Sequence, residues 1–390
     1  EDGTPTIKVW NNGILEDYNG TAIKAEKGSI TIEKYDNANP PKFIPPHNAH
    51  GDFKLGVEAK TVDTVKINGV DKTHTQEVAT SKEIVVVVKD VADSVVGNEY
   101  NKINLVDEKI GGVANPNYDS KYKGTKKDYN AVVNEDDNGG KISLNSIFKD
   151  STKLSSYDSA SEDLTIIIKD LPAGVTLEGA NLNYVNGQYI FKADDISGIK
   201  IVTPPNYSGE LNFNIDYITT EAGKEANNPS KTFDSEKSTN NVSIFVKPTV
   251  DAGFKSNTTK AEDSEIVDSG NSYYKLDLGI SHQNGDIDET LVSVKLDKPT
   301  DGDFKLFIKN SDGSFSEIID FTKTYTESEL KDIYVQAPEN KHGNFDITGT
   351  YTVKDSQYGS KDVNYETVKT DKFKHTLTIT PVTDKPTITV

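Results

Sequence analysis

A spacing that recurs three times constrains this chain more than any other feature. "FIPPHNAHGDFKLGV" from Phe43, "VTPPNYSGELNFNI" from Val202 and "VQAPENKHGNFDITGTYTV" from Val335 share a proline, an Asn, a Gly after a short turn, and an alternating apolar run. From Gly51, Gly209 and Gly343 a second signal follows at a spacing constant to within one position: "VKDVAD" ending at Asp93, "VKPTVD" at Asp251 and "ITPVTD" at Asp384. A spacing held across copies this divergent marks a tandem repeat, and repeats must be found before a fold is read.

Two further signals support the repeat. Glu135-Asp136 and Glu262-Asp263 each stand at the same distance before a Glu-x-Leu strand, Glu162-x-Leu164 and Glu289-x-Leu291. Asp195-Ile196 and Glu329-Leu330 stand at nearly equal distances before Gly209 and Gly343, and "TESE" at 326–329 matches a capping box, which predicts a single helical turn. The borders expected from the acidic linkers give three units: a shortened or truncated repeat over 1–93, a full one over 94–250, and a third over 251–390. The second unit is the longer full copy because of an insertion at about 97–131, which carries four tyrosines and a Gly-Gly pair. A long loop or an extra hairpin is expected there.

The runs "EIVVVVK" (83–89), "LTIIIK" (164–169), "VSIFVK" (242–247) and "TLTIT" (376–380) read as buried strands, and Leu276-x-Leu278-x-Ile280 and Phe345-x-Ile347 as half-buried ones. Helical periodicity is nearly absent. Short strands with frequent turns predict an all-β chain of tandem immunoglobulin- or cadherin-like β-sandwiches in an elongated arrangement. An apolar content of 34% and a mean hydropathy of −0.59 suit several thin cores better than one large core.

The formal charge is −19, and every basic residue is Lys. That argues against nucleic-acid binding, which needs a basic stripe. Without Cys, disulfides and thiolate metal sites are excluded. Met is absent too, even at the start, and there is no signal sequence or transmembrane run, so a piece of a longer protein is expected, without direct membrane insertion.

The acids follow the repeat. Each ruler glycine is followed at one fixed offset by an acid: Asp63 after Gly51, Glu221 after Gly209 and Asp355 after Gly343. Each copy then ends in Asp93, Asp251 or Asp384. Both full copies open with Glu-Asp (Glu135-Asp136, Glu262-Asp263) and carry acids before the Leu strand: Asp158 and Glu162, then Asp286, Asp288 and Glu289. In a sandwich such positions gather at the poles, where six or seven oxygens at about 2.3 to 2.6 Å complete a Ca²⁺ site. The competing reading is that they are solvated turn acids. Crowded carboxylates without a cation would repel each other.

"SEDLTIIIKDLPAGVTL", "ADDISGIKIVTPPNYSGELNFNI", "VKPTVD", "GDIDETLVSVKL" and "ITPVTDKPTI" resemble the cadherin-like, immunoglobulin-type repeats of large bacterial RTX adhesins, most fully over 93–390. The resemblance implies a type I-secreted, surface-retained protein in which tandem repeats form a calcium-stiffened stalk supporting attachment or biofilm formation. Carried over by position, it implies Glu135, Glu221, Asp251, Asp286 and Asp288 at the second junction, and Asp63, Asp93 and Asp158 at the first. Glu16 does not match the family's Glu-Asp place. Implied partners are neighbouring repeats of the same chain and a host or microbial surface glycan or protein; a monomer is expected.

Enzyme motifs are missing: there is no Gly-x-Ser-x-Gly elbow, P-loop, dinucleotide fingerprint or zincin helix. Recurring carboxylates suit structure better than a single glycosidase site. "HNAH" at 47–50 reads as turn residues rather than a zinc pair. Two other functions stay open. One is a ligand-binding module, sought first at 97–131 or at Trp10 and the tyrosines, with a loop covering a sandwich edge as its alternative. The other is a Gram-positive surface stalk with Lys–Asn or Lys–Asp isopeptide crosslinks.

Overall fold

The computed structural model describes residues 2–9, 14–16, 22–23, 29–31, 38–44, 50–76, 82–93, 95, 100–122, 128–149, 162–221, 234–268, 271–282, 286, 288–300, 302, 304–338, 340–356 and 365–383. The chain is all-β, and its described strands pair in three successive groups.

Each group is built on the same three-strand centre. The strand that begins at a ruler glycine is flanked by an earlier strand and by the last strand of its group. Gly51–Ile67 lies between Asp2–Val9 and Lys82–Val88. Gly209–Glu221 lies between Glu162–Lys169 and Ser235–Lys247. Gly343–Ser356 lies between Thr290–Leu296 and Glu366–Thr380. The glycines pair with Val88, Val246 and Ile379, so the recurring spacing measures the return of the chain to the strand entrance, with the linker acid just beyond it. The return is one long strand in the two later groups and Val70–Gln76 followed by Lys82–Val88 in the first. Their φ values are +108°, +108° and +125°, where a Cβ is strained. That is the physical reason each copy keeps Gly at the strand entrance.

In the two later groups a short first strand pairs in parallel with the last: Ala131–Asn134 with Ser235–Lys247, and Asn257–Ala261 with Glu366–Thr380. All other described pairings are antiparallel. A second sheet closes each sandwich, with strand order 141–143, 200–202, 176–178 in the second group. In the third group the order is 266–268, 271–275, 333–338, 305–309, 315–317. Ile166, Phe213 and Ile244 fill one core; Val294, Val335 and Leu377 fill the next.

The acid-then-apolar turns form as expected. Glu327–Leu330 is one α-helical turn whose capping box has the Thr326 N–H donating to the Glu329 carboxylate at 2.8 Å. Ala193–Gly198 is a 3₁₀ turn at the matching place. Ile196 and Leu330 are both buried, so the turn plugs one side of the sandwich. Among the described residues no helix is long and apolar enough to cross a membrane.

Four strand expectations need correction. Thr376–Thr380 alternates between buried and more exposed residues. Residues 276–279 lie between the strands Asn271–Lys275 and Ile280–Ser281, although Leu276 and Leu278 are buried. The run at 83–89 is largely exposed, with Ile84 at 50% and Val87 at 62%. Leu164–Lys169 alternates between buried and half-buried residues instead of lying wholly inside. By contrast, Val242 to Val246 are all buried, on both faces of their strand. The insertion explains this, because it covers the outer face of that strand. Within it, Lys109–Ile110 and Val113–Ala114 form a hairpin turned by Gly111 and Gly112, and Ile103–Asn104 pairs with Asp128–Tyr129.

Candidate metal centre

The long central strands decide which acids meet. Thirteen residues at about 3.4 Å each carry the chain from one pole of a sandwich to the other. The acid at the fixed offset from a ruler glycine therefore faces the junction before its own unit. The Glu-Asp pairs lie at the opposite pole, where the first strand ends.

At the second junction this brings together Glu135 from the second group, Asp251 from the linker, and Asp286, Asp288, Glu289 and Asp355 from the third. Carboxylate oxygens of Glu135, Asp286 and Asp355 lie within 4.8 Å of one another, and so do those of Asp251, Asp286 and Glu289. Asp286 belongs to both sets. Glu135, Asp286, Glu289 and Asp355 are buried, Asp355 completely.

Backbone amides hold some of these groups in place. Glu289 Oε1 accepts the N–H of Asp251 and of Ala252, both at 2.7 Å. Glu135 Oε1 accepts the N–H of Thr249. Asp136, at φ +55°, receives the Asn206 N–H at 3.3 Å. With the Asn206 amide turned to satisfy both ends, it donates to Asp136 at 3.1 Å and accepts the Asp286 N–H at 3.0 Å. Asn206 thereby links the two groups directly.

The remaining oxygens lack such support. Asp251 Oδ1, Asp288 Oδ2, Glu289 Oε2 and both Asp355 oxygens are buried and accept no hydrogen bond. Burial pushes the Glu135 carboxyl well above the carboxylate range, reinforced by Asp355. Burial also raises Asp286, with Asp288 adding to it, and raises Asp355, Asp251 and Glu289. Two unit charges at about 4.8 Å repel by roughly 3 kcal/mol at an effective dielectric of about 20. Several such pairs rival the whole stability of a domain, so these groups need either protons or a cation.

These carboxylate oxygens, with the His282 imidazole 3.8 Å from Glu289 Oε2 at their edge, fit a hard divalent cation of the Ca²⁺ type. Such an ion would satisfy the orphaned oxygens. Every one of them except Asn145 Oδ1 belongs to a carboxylate that recurs with the repeat.

At the first junction the arrangement is similar but thinner. Glu162 and Glu221 are opposite one another in register and buried. Glu162 Oε1 accepts the Asp93 N–H at 2.5 Å, as Glu289 does for Asp251. Glu221 Oε2 accepts no hydrogen bond and faces His50 Nδ1 at 3.4 Å. Glu221 thus sits at the first junction, a correction to the second-junction place implied by resemblance; the pole-to-pole strand is the reason. The missed residues here are His50, Asp90 and Asp234. Asp90 accepts the Asp234 N–H at 2.8 Å, and Asp234 accepts the Ala92 N–H at 3.1 Å. His50 directly precedes a ruler glycine, which was the available signal.

Among the described residues, Glu262 and Asp263 stand apart from both junctions. Glu262 accepts the Val382 N–H at 2.6 Å and faces His342 at 3.4 Å, at the far pole of the third group. Asp263 beside it repeats the φ of Asp136 and accepts the Ser272 hydroxyl at 3.0 Å. Asp63 lies within a strand opposite His74 in register, away from any strand end. Asp158 and Asp384 lie outside the described residues.

No family model matches the chain, and no curated protein matches it. Among solved structures, repeats EC1–3 of mouse protocadherin-24 align at 10% identity over 94% of this chain and 90% of that one, with a TM-score of 0.23. Zebrafish RET cadherin-like domains 1 to 4 align at 9% identity over 97% and 66%, with a TM-score of 0.18. The Bacillus anthracis TIE protein aligns at 12% identity over 99% and 69%, with a TM-score of 0.15. Likeness at these scores carries no argument about role, and the architecture rests on the strand pairing itself.

Proposed function

We propose that this chain is an extender segment of a bacterial cell-surface adhesin, stiffened by Ca²⁺ at the junctions between its β-sandwiches. The observation that carries the reading is the second junction, where Glu135 and Asp355 approach across two groups with orphaned carboxylate oxygens between them. Glu135, Asp251, Asp286, Asp288, Glu289 and Asp355 would hold the ion. Ca²⁺ would supply the positive charge that these oxygens otherwise obtain only by protonation.

The role that follows is mechanical. Closing a cation between two sandwiches fixes their angle, and a stalk of fixed angles holds a distal adhesive domain away from the cell. The partners in this reading are neighbouring repeats; the location is extracellular. The role is structural and not enzymatic, since the paired carboxylates recur with the repeat.

Among the described residues, the most buried Lys–Asp pair in reach for the isopeptide reading is Lys169 Nζ and Asp216 Oδ2 at 2.8 Å. Amide formation needs a neutral amine and a protonated acid. Asp216 also receives Lys237 at 2.8 Å. Burial alone would raise its carboxyl, but these lysines outweigh it and hold it at about 2. The pair is a salt bridge in chemistry as well as in geometry.

Thermal unfolding and solution scattering, with Ca²⁺ and with chelator, test the proposal. Ca²⁺ at about 100 times its dissociation constant adds roughly 2.7 kcal/mol per site. An unchanged melting temperature and maximum dimension on chelation would rule it out.

A further inference from the structure

The insertion at 97–131 packs on its own unit and reaches the next one. Leu105, Tyr122 and Tyr129 form a buried cluster with Phe245, from the last strand of the second group, and Tyr365, from the third. Phe245 is the hub. Its ring meets Tyr122 and Tyr129 at 5.3 Å each and Tyr365 at 5.5 Å, the last edge-on.

A polar clasp closes over the cluster. Asp119 Oδ2 accepts Lys247 Nζ at 2.9 Å and the Tyr365 hydroxyl at 2.8 Å, joining insertion, second group and third group at one carboxylate. Burial pushes Asp119 up, but these two donors outweigh it and keep it ionised. Lys247 also lies over the Tyr365 ring at 5.6 Å, and the Thr367 hydroxyl donates to the Pro248 carbonyl at 2.7 Å. The insertion is itself stiffened. Its buried Asn115 donates to the carbonyls of Asn104 and Asp107 at 2.7 and 2.8 Å.

We infer that the 97–131 insertion is a built-in brace that fixes the angle between the second and third units without a metal. Domains joined by a small polar contact move relative to one another, and an apolar contact suppresses that motion. The brace adds a desolvated aromatic cluster on the flank of the acidic junction. Among the described residues, no buried aromatic cluster spans the first junction. The two junctions therefore differ: the first depends on its acids, whereas the second keeps its geometry when cation is withdrawn. This inference does not rest on the calcium reading.

The test uses the full chain, which has no Cys, so two introduced cysteines label uniquely. Asn183→Cys with Lys331→Cys reports the second junction, and Lys72→Cys with Asn183→Cys the first; all three positions are exposed. In chelator the second-junction distance distribution stays narrow. Tyr365→Ala and Asp119→Ala each broaden it, Tyr365→Phe broadens it less because the ring remains, and the melting transition persists in all three. A narrow second-junction distribution in both Tyr365→Ala and Asp119→Ala would overturn the brace. So would broadening of the unsubstituted second junction in chelator to match the first. If chelation changes neither junction while Tyr365→Ala still loosens the second, the calcium reading fails and the brace stands.

Discussion

Glu135 and Asp355 lie on different sandwiches, yet their carboxylate oxygens approach within 4.8 Å, together with Asp286. Neither can remain charged there uncompensated, because both are buried and Asp355 accepts no hydrogen bond.

Asp355→Asn removes one charge without changing the side chain's shape. In chelator at neutral pH the variant melts above the unsubstituted chain, by about 1–3 kcal/mol of stability, because an orphaned buried charge is gone. In saturating Ca²⁺ the order reverses, since the variant has lost a ligand. Differential scanning calorimetry under both conditions reads this, and an undiminished Ca²⁺ response in the variant contradicts the assigned site.

The same groups set a pH dependence with a definite sign. Glu135, Asp286 and Asp355 have folded pKa values above their unfolded ones, the highest being about 9 for Glu135. Between about pH 4 and about pH 9 the folded state therefore binds more protons, and stability without cation falls as pH rises through that window. Ca²⁺ competes with those protons and flattens or inverts the slope. Urea midpoints across the window, with and without chelator, check both slopes. A cation-free midpoint that climbs with pH would count against the clustered acids.

Two glycines separate strain from collision. At Gly343, φ is +125° and an added Cβ meets nothing within 4 Å, so Gly343→Ala costs only backbone strain, about 1–3 kcal/mol. At Gly349 the added Cβ would lie 2.1 Å from the Lys295 carbonyl oxygen. Gly349→Ala must push two paired strands apart and costs more than about 3 kcal/mol. Equal losses in chemical denaturation would mean that the sheet gives way more easily than its packing indicates.

Intact mass resolves the covalent question. With Asp216 ionised between Lys169 and Lys237, the measured mass equals that of the 42.7 kDa sequence. An isopeptide bond would appear as a loss of roughly 17 or 18 Da. A peptide map placing such a loss at Asp216 would replace the salt bridge with a crosslink.

The repeat, the fold class and the recurrence of acids at fixed places within the repeat were legible because they follow local rules. Glycine marks a backbone angle, alternation marks a half-buried strand, and a capping box marks a helical turn. The exposure of Ile84 and Val87 was not legible, since an apolar run specifies a strand but not what covers its faces. The unbroken burial of Val242 to Val246 was hidden for the same reason: the cover comes from an insertion far earlier in the chain. The link made by Asn206 could not be read from a turn asparagine alone.

By itself, the sequence determined the period, the all-β class and which residue types recur at each strand end, because backbone sterics and strand periodicity act within a few residues. Only the tertiary structure decided which acids meet. A strand spanning a whole sandwich carries Glu221 and Asp355 to the pole opposite Gly209 and Gly343. The ruler glycine thus marks one junction while the acid at its fixed offset serves the one before it.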